Sequence, residues 1–306
     1  MKVFIAGASG LLGGNCQKYF QSQGWDVVGS HFGYPTPETV YYNTLEPEHP
    51  DNFDIRAWGP DVIVHCGALT HVDYCETHEA ESYRQTVEST ANLIRVTRDC
   101  GAKMVYISTD YVFDGKEGPY TEDAPVNPVS VYGRHKLEAE QLTLREIPNA
   151  LVLRITNVYG NERREKNFIA RIIRQCLEGQ HLTLKLPFDQ FASPTNAYDI
   201  ARAMFVLLRD GKSGIYHTGS TDYMNRVELA LRVLRYFPNA SYELIPMSTE
   251  ALQQPAARPL RGGFVCMKFR SEYPDFLFSN VDDYMKQQTS TNNTTQSVQK
   301  DNTNLS

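Results

Sequence analysis

No run in this 306-residue chain is apolar for the length that a bilayer-spanning helix needs, so no transmembrane helix and no membrane partner are expected. Excess positive charge is also missing. With 30 Lys and Arg against 36 Asp and Glu, the formal net charge is −6, and nucleic acid is not an expected partner. The six cysteines (Cys16, Cys66, Cys75, Cys100, Cys176 and Cys266) show no metal-ligand spacing. Reduced thiols and a cytoplasmic location are the simplest expectation, with no leader pattern ahead of the first apolar run. What is present is ordinary for a globular protein, 41% hydrophobic and 22% charged, and long enough for a sizeable core and a second region.

The first half alternates between short apolar runs and helical patterns, which predicts a doubly wound parallel sheet. Lys2–Ala6 reads as a buried strand and runs into Gly7-Ala8-Ser9-Gly10-Leu11-Leu12-Gly13-Gly14. A helix follows with Leu11, Leu12, Cys16, Tyr19 and Phe20 on its apolar face. Glycines in this context let the backbone approach a pyrophosphate, and the helix N-terminus supplies free N–H groups and positive potential. A dinucleotide is therefore expected on this turn. The second strand, Trp25–Ser30, has no acid at its end; the next one is Glu38. A carboxylate there would bond the ribose of NAD. Its absence favours NADPH, with Ser30 or His31 as a partner for the 2′-phosphate; NADH is left open.

Asp61–His65 is a further buried strand, with His65 read as a core histidine. The small residues that follow, Gly67, Ala68 and Thr70 among them, suit either a tight turn or close approach of a ligand. Thr77 to Asp99 reads as helical, with Tyr83, Val87, Ala91, Ile94 and Val96 toward the core.

The stretch Ser108 to Lys136 carries the chemistry. Lys103–Ile107 is a strand pattern, so Ser108 and Thr109 fall at the sheet edge where ligands bind in open parallel sheets. From Val131 good helix formers follow, and Tyr132 and Lys136, four apart, share a helix face. A phenol titrates near 10, whereas an acid serving a carbonyl at neutral pH works best near 7. The gap corresponds to about 4 kcal/mol, and an ammonium within about 4–6 Å can supply much of it. A Thr109 hydroxyl can hold the carbonyl oxygen as it gains charge.

Leu151–Ile155 is another strand pattern; beyond it the alternation becomes irregular. Asn161 to Lys166 is a polar, charged loop, and Asn167 opens a helix through Leu177. Further helix and strand patterns span Asn196 to Leu208 and Gly214–Gly219. Arg258 and Arg261 flank a proline and read either as phosphate partners or as surface charges. The expected division is 1–155 for the dinucleotide, 156–286 for a smaller substrate lobe with some chain returning to the core, and 287–306 as a disordered tail rich in Thr, Ser, Asn and Gln.

The run Ser108-Thr109-Asp110-Tyr111-Val112-Phe113-Asp114-Gly115, with Pro119-Tyr120, Glu122, Pro125, Asn127-Pro128 and Tyr132-Gly133-x-x-Lys136, resembles the dTDP-4-dehydrorhamnose reductase family of extended short-chain dehydrogenases/reductases. Asn167-Phe168, Asp189-Gln190, Pro194-Thr195 and Arg258-Pro259 extend the resemblance to about residues 1–285. It implies a Rossmann-type α/β fold. The implied activity is NADPH-dependent reduction of the 4-keto group of a dTDP- or UDP-linked 6-deoxyhexose. Tyr132 would be the acid, Lys136 would tune it and bond the nicotinamide ribose, and Thr109 would orient the carbonyl. Gly7, Gly10, Leu11 and Leu12 would meet the cofactor's pyrophosphate with Ser9 beside them, Asn43 and Thr44 would lie near the adenosine, and Gly67, Ala68 and Thr70 would line the cofactor's path. Asp110, Tyr111, Asn157, Asn167 and Arg258 would meet the substrate.

Three departures accompany it. Asn157 stands where many members carry tryptophan, Asn15 lies near an expected metal-binding glutamate, and Tyr111 occupies the position of a cysteine in related bifunctional 3,5-epimerase/4-reductases. No metal is expected, and reduction alone is favoured. A rival is the regulatory subunit of methionine adenosyltransferase, which resembles the same family and acts through a partner. A homodimer is left open.

Overall fold

The computed structural model describes residues 1–290. Six strands, β1 (Lys2–Ala6), β2 (Asp26–His31), β3 (Thr39–Tyr41), β4 (Val62–His65), β5 (Lys103–Thr109) and β6 (Leu151–Ile155), join Gly214–His217 in one seven-stranded sheet. Its order is Gly214–His217, β6, β5, β4, β1, β2, β3, and every pairing is parallel. The strands are apolar at consecutive positions because both faces are covered. Val3 and Ile5 of β1 join Cys16 and Phe20 of helix Leu11–Ser22 and Met204 of helix Ala197–Arg209 on one face. Phe4 and Ala6 meet Leu93, Ile94 and Val96 of helix Ser89–Asp99 on the other. The reversal of strand order lies between β1 and β4, where ligands of such sheets bind.

Four details differ from the sequence reading. β3 is added at the edge. β5 runs two residues further, so Ser108 and Thr109 end the strand rather than leave it. The helical stretch begins at Val72, breaks at His78, and contains a π-turn over Arg84–Glu88. One extra residue in that turn rotates the helix face, so Tyr83, expected inside, is 37% exposed, while Leu93 is fully buried. The last segment forms a helix over 281–290, so Gln287 and its neighbours continue a helix that packs through Val281, Tyr284 and Met285. Of the expected tail, residues 291–306 lie outside the described residues.

The smaller lobe is built differently. Leu182–Pro187 pairs in parallel with Tyr242–Met247, and helices Phe168–Leu177 and Arg226–Leu234 pack beside them around Ile169, Ile172, Leu229 and Val233. Between them the chain returns to the main sheet as helix Ala197–Arg209 and strand Gly214–His217. Among the described residues no helix is long and apolar enough to cross a membrane.

Candidate active site

The glycine turn is shaped by backbone contacts. Gly7 has φ +86°, and a Cβ on it would lie 2.8 Å from the Gly67 nitrogen. A Cβ on Gly13 would lie 2.5 Å from the Gly7 carbonyl. The turn after β1 thus rests directly on the turn after β4. Gly10 caps helix Leu11–Ser22 in extended backbone with no side-chain hydrogen bond, which leaves first-turn N–H groups open. Such a terminus suits a pyrophosphate. Ser9, Gly10 and Leu11 are half-buried around this opening, while the Leu12 side chain packs into the core.

The neighbouring residues divide by accessibility. Gly67 and Ala68 are half-buried beside Gly7, and Thr70 is exposed. Asn43 Oδ1 accepts from the Leu45 N–H at 3.0 Å, and Thr44 Oγ1 accepts from the Ser89 hydroxyl at 2.8 Å. His31 is half-buried, its Nδ1 2.9 Å from Thr39 Oγ1. Ser30 is a correction: it is 1% exposed beneath the glycine turn, where the Ala8 N–H donates to its carbonyl, and its side chain cannot meet a phosphate in solvent.

Helix Val131–Glu146 starts at Ser130, whose Oγ accepts from the Gly133 N–H at 3.2 Å, and Glu76 accepts from the Val131 N–H at 2.9 Å. A Cβ on Gly133 would stand 2.3 Å from the Tyr111 carbonyl. Glycine after Tyr132 therefore lets the helix press on the turn that leaves β5, which brings Tyr132 to Thr109. Tyr132 is 9% exposed and lies edge-on to Tyr111, ring centroids 5.5 Å apart. Burial pushes its phenol above the ordinary tyrosine range, and the Thr109 hydroxyl pulls it back in part. Lys136 is 3% exposed; its Nζ donates to the Ile107 carbonyl at 2.5 Å and lies 4.2 Å from the centre of the Tyr106 ring. Burial brings it down to about 7, against an opposing pull from Glu140.

The expected tuning of Tyr132 by Lys136 is thus not what this state of the site displays. The ammonium turns to a carbonyl and a ring face, and desolvation dominates the phenol. Below the pair, His65 Nδ1 and Ser108 Oγ are buried with no hydrogen-bond partner among the described residues. Burial and the nearby Lys136 ammonium hold His65 down to about 3, so it is neutral.

The expected substrate residues separate further. Asp110 is 4% exposed, and its carboxylate accepts from Thr156 Oγ1 at 2.6 Å, the Gly263 N–H at 3.1 Å and Thr109 Oγ1 at 3.3 Å. It braces three segments and has no face left for a ligand. Asn167 is likewise occupied: Oδ1 accepts from the Ala170 N–H as a helix cap, and Nδ2 donates to the Gly160 carbonyl and Glu162. Tyr111 faces Tyr132. Asn157, at φ +41°, accepts from Arg226 Nη2 at 2.6 Å. Arg258 pairs with Asp73 at 2.8 Å, its side chain 7% exposed.

Arg226 and Arg171 were not singled out from sequence. Arg226 is half-buried over the Phe168 ring at 5.1 Å, close enough to Arg171 and Arg258 to feel both charges. Burial lowers its guanidinium pKa, which Tyr111 and Asp110 partly offset. One signal was readable: Arg226 opens a helix just after its cap Asn225, where the dipole disfavours a cation. Arg226 and Arg258 thus stand close enough to Tyr111 to act on it, with the exposed Arg171 near Arg226, and such guanidinium groups suit a multiply charged anion.

A parallel sheet with an uncapped glycine turn at its order reversal, and a buried tyrosine–lysine helix beside it, defines a Rossmann-type protein of the short-chain dehydrogenase kind. More narrowly, the chain belongs to the family described as RmlD substrate binding domain, whose model matches residues 1–279. It is 32% identical to methionine adenosyltransferase 2 subunit beta of Danio rerio over 87% of this chain and 83% of that one. It is 30% identical to a probable low-salt glycan biosynthesis reductase of Haloferax volcanii, over 85% and 88%. Among solved structures, dTDP-4-dehydrorhamnose reductase of Bacillus anthracis in complex with NADP superposes with a TM-score of 0.80 at 26% identity, over 94% and 97%.

Proposed function

We propose that this protein reduces the 4-keto group of a nucleotide-linked 4-keto-6-deoxyhexose with NADPH. The reading rests on Tyr132 beside Thr109, on the helix that also carries Lys136, with an anion-ready glycine turn on the same sheet and Arg226 and Arg258 near Tyr111. The reduced nicotinamide supplies the hydride. Tyr132 gives its proton to the oxygen that the hydride leaves negatively charged, and Thr109 donates to that oxygen as charge develops. The opened uncapped turn takes the cofactor's pyrophosphate, and Arg226 with Arg258 and Arg171 takes the substrate's diphosphate. Lys136 would hold the nicotinamide ribose and lend its charge to the phenolate. Tyr111, in place of a cysteine, supports reduction without epimerisation.

The test is NADPH oxidation with dTDP- and UDP-4-keto-6-deoxyhexose. Turnover by the wild type that Tyr132→Phe abolishes, with cofactor binding intact, is the expected result. A second reading rests on the 32% identity to methionine adenosyltransferase 2 subunit beta: a regulatory subunit that keeps the cleft and acts on a synthetase. No turnover with either sugar nucleotide, with cofactor bound and a synthetase retained through purification, would favour it.

A further inference from the structure

The polar loop Asn161–Lys166 takes no part in the chemistry above, yet it crosses from the smaller lobe to the end of β2. Asn15 Nδ2, on the helix after the glycine turn, donates to the Asn161 carbonyl at 3.1 Å. Arg163 Nη2 pairs with Glu38 Oε1 at 2.5 Å. Arg164 lies over the Tyr34 ring, 5.0 Å from its centre, and has no carboxylate partner among the described residues. Gln17 Nε2 donates to the Glu38 carbonyl at 2.9 Å, which fixes this segment to the same helix.

The loop's acids face the other way. Glu162 Oε1 accepts from the N–H groups of Lys166 and Asn167 at 2.9 and 2.7 Å, and Glu165 lies 3.9 Å from Arg174 of the lobe's own helix. The two arginines reach across to the segment that follows β2, at Glu38 and Tyr34. A dinucleotide laid along the glycine turn would bring its adenosine ribose to the C-terminal end of β2, beside that segment. Ser30 is buried there and His31 is engaged with Thr39. The first acid after β2, Glu38, is neutralised by Arg163 and so cannot repel a phosphate.

Resting on the dinucleotide reading of the cleft, we infer that Arg164 and Arg163 form the 2′-phosphate site, so that a loop of the smaller lobe selects NADP(H) over NAD(H). Arg164 supplies the free cation. Arg163 cancels the charge of Glu38 and adds a second donor. A phosphate dianion gains charge-assisted hydrogen bonds here that a ribose hydroxyl cannot match.

Binding measured by calorimetry, with NADPH, NADH, 2′,5′-ADP and 5′-AMP as probes, tests this without turnover. Arg164→Ala is expected to weaken NADPH and 2′,5′-ADP about tenfold and leave NADH and 5′-AMP within about twofold. Arg163→Gln exposes Glu38 and weakens the phosphorylated probes severalfold; adding Glu38→Gln restores most of the loss. Equal weakening of both dinucleotides marks a loop that only holds shape and overturns the proposal. So does a wild type with no preference for NADPH. Failure of the wild type to bind either dinucleotide would instead bring down the cofactor reading, and the loop site with it.

Discussion

The two halves of the molecule solve different problems. In the sheet half, the reactive side chains come from neighbouring strand ends and one helix, and backbone contacts set their positions. Gly7 against Gly67 and Gly133 against Tyr111 leave no room for a Cβ. In the smaller lobe, Arg171, Arg226 and Arg258 come from three separate segments, and caps and ion pairs position them. The sheet half is therefore suited to catalysis, where small displacements cost rate. The lobe is suited to charge recognition, which tolerates more variation.

The largest expected effect tests the sheet half. Tyr132→Phe should lower kcat about 10²–10⁴-fold while leaving KM and the melting temperature unchanged, as steady-state kinetics and thermal melts would show. A fall in KM or stability instead would make Tyr132 a packing residue. Next comes the buried pair of Arg154 with Glu140, at 2.6 and 3.1 Å and 3% and 2% exposed. Glu140→Ala should cost about 3–5 kcal/mol in urea melts, because it strands a buried guanidinium. Arg235→Ala, at the exposed end of the lobe pair with Asp282, should by contrast leave the urea midpoint nearly unchanged.

The pH profile of stability comes next in size. Burial holds His65 and His217 down to about 3, both on strands of the main sheet. Between that value and about 6.5 the unfolded chain binds protons that the folded one does not, so stability should fall by a few kcal/mol as pH drops through this window. Lys136, held down to about 7, works the same way higher up: stability should rise with pH between about 7 and 10. Melts of His217→Gln and Lys136→Met, each flattening its own window, would check the assignment. A smaller effect tests the lobe. Arg226→Met should raise KM for a sugar nucleotide about tenfold with kcat nearly intact, separating recognition from chemistry.

How far the sequence was readable follows the same division. The shared helix face of Tyr132 and Lys136 was legible because a spacing of four acts through local periodicity, the place of Thr109 because it follows an apolar strand run, and the glycine turn because strand, turn and helix are contiguous. Tyr83 was misplaced because a π-turn rotated its helix, and no residue pattern announces one. Asp110 and Asn167 looked like ligand groups because their polarity was visible while their partners, Gly263 and Gly160 among them, were not. Arg226 went unread although its place at a helix start was a local fault that invited explanation.

Local rules by themselves determined the strand–helix alternation, the open helix terminus at Gly10 and the shared face of Tyr132 and Lys136, because each depends on residues a few positions apart. Only the folded chain decided that the Lys136 ammonium rests on the Ile107 carbonyl, that Arg226 and Arg258 come close to Tyr111, and that Arg163 meets Glu38 across 125 positions. Those outcomes depend on solvent exclusion and on charges brought together through space, and neither is a property of any stretch read alone.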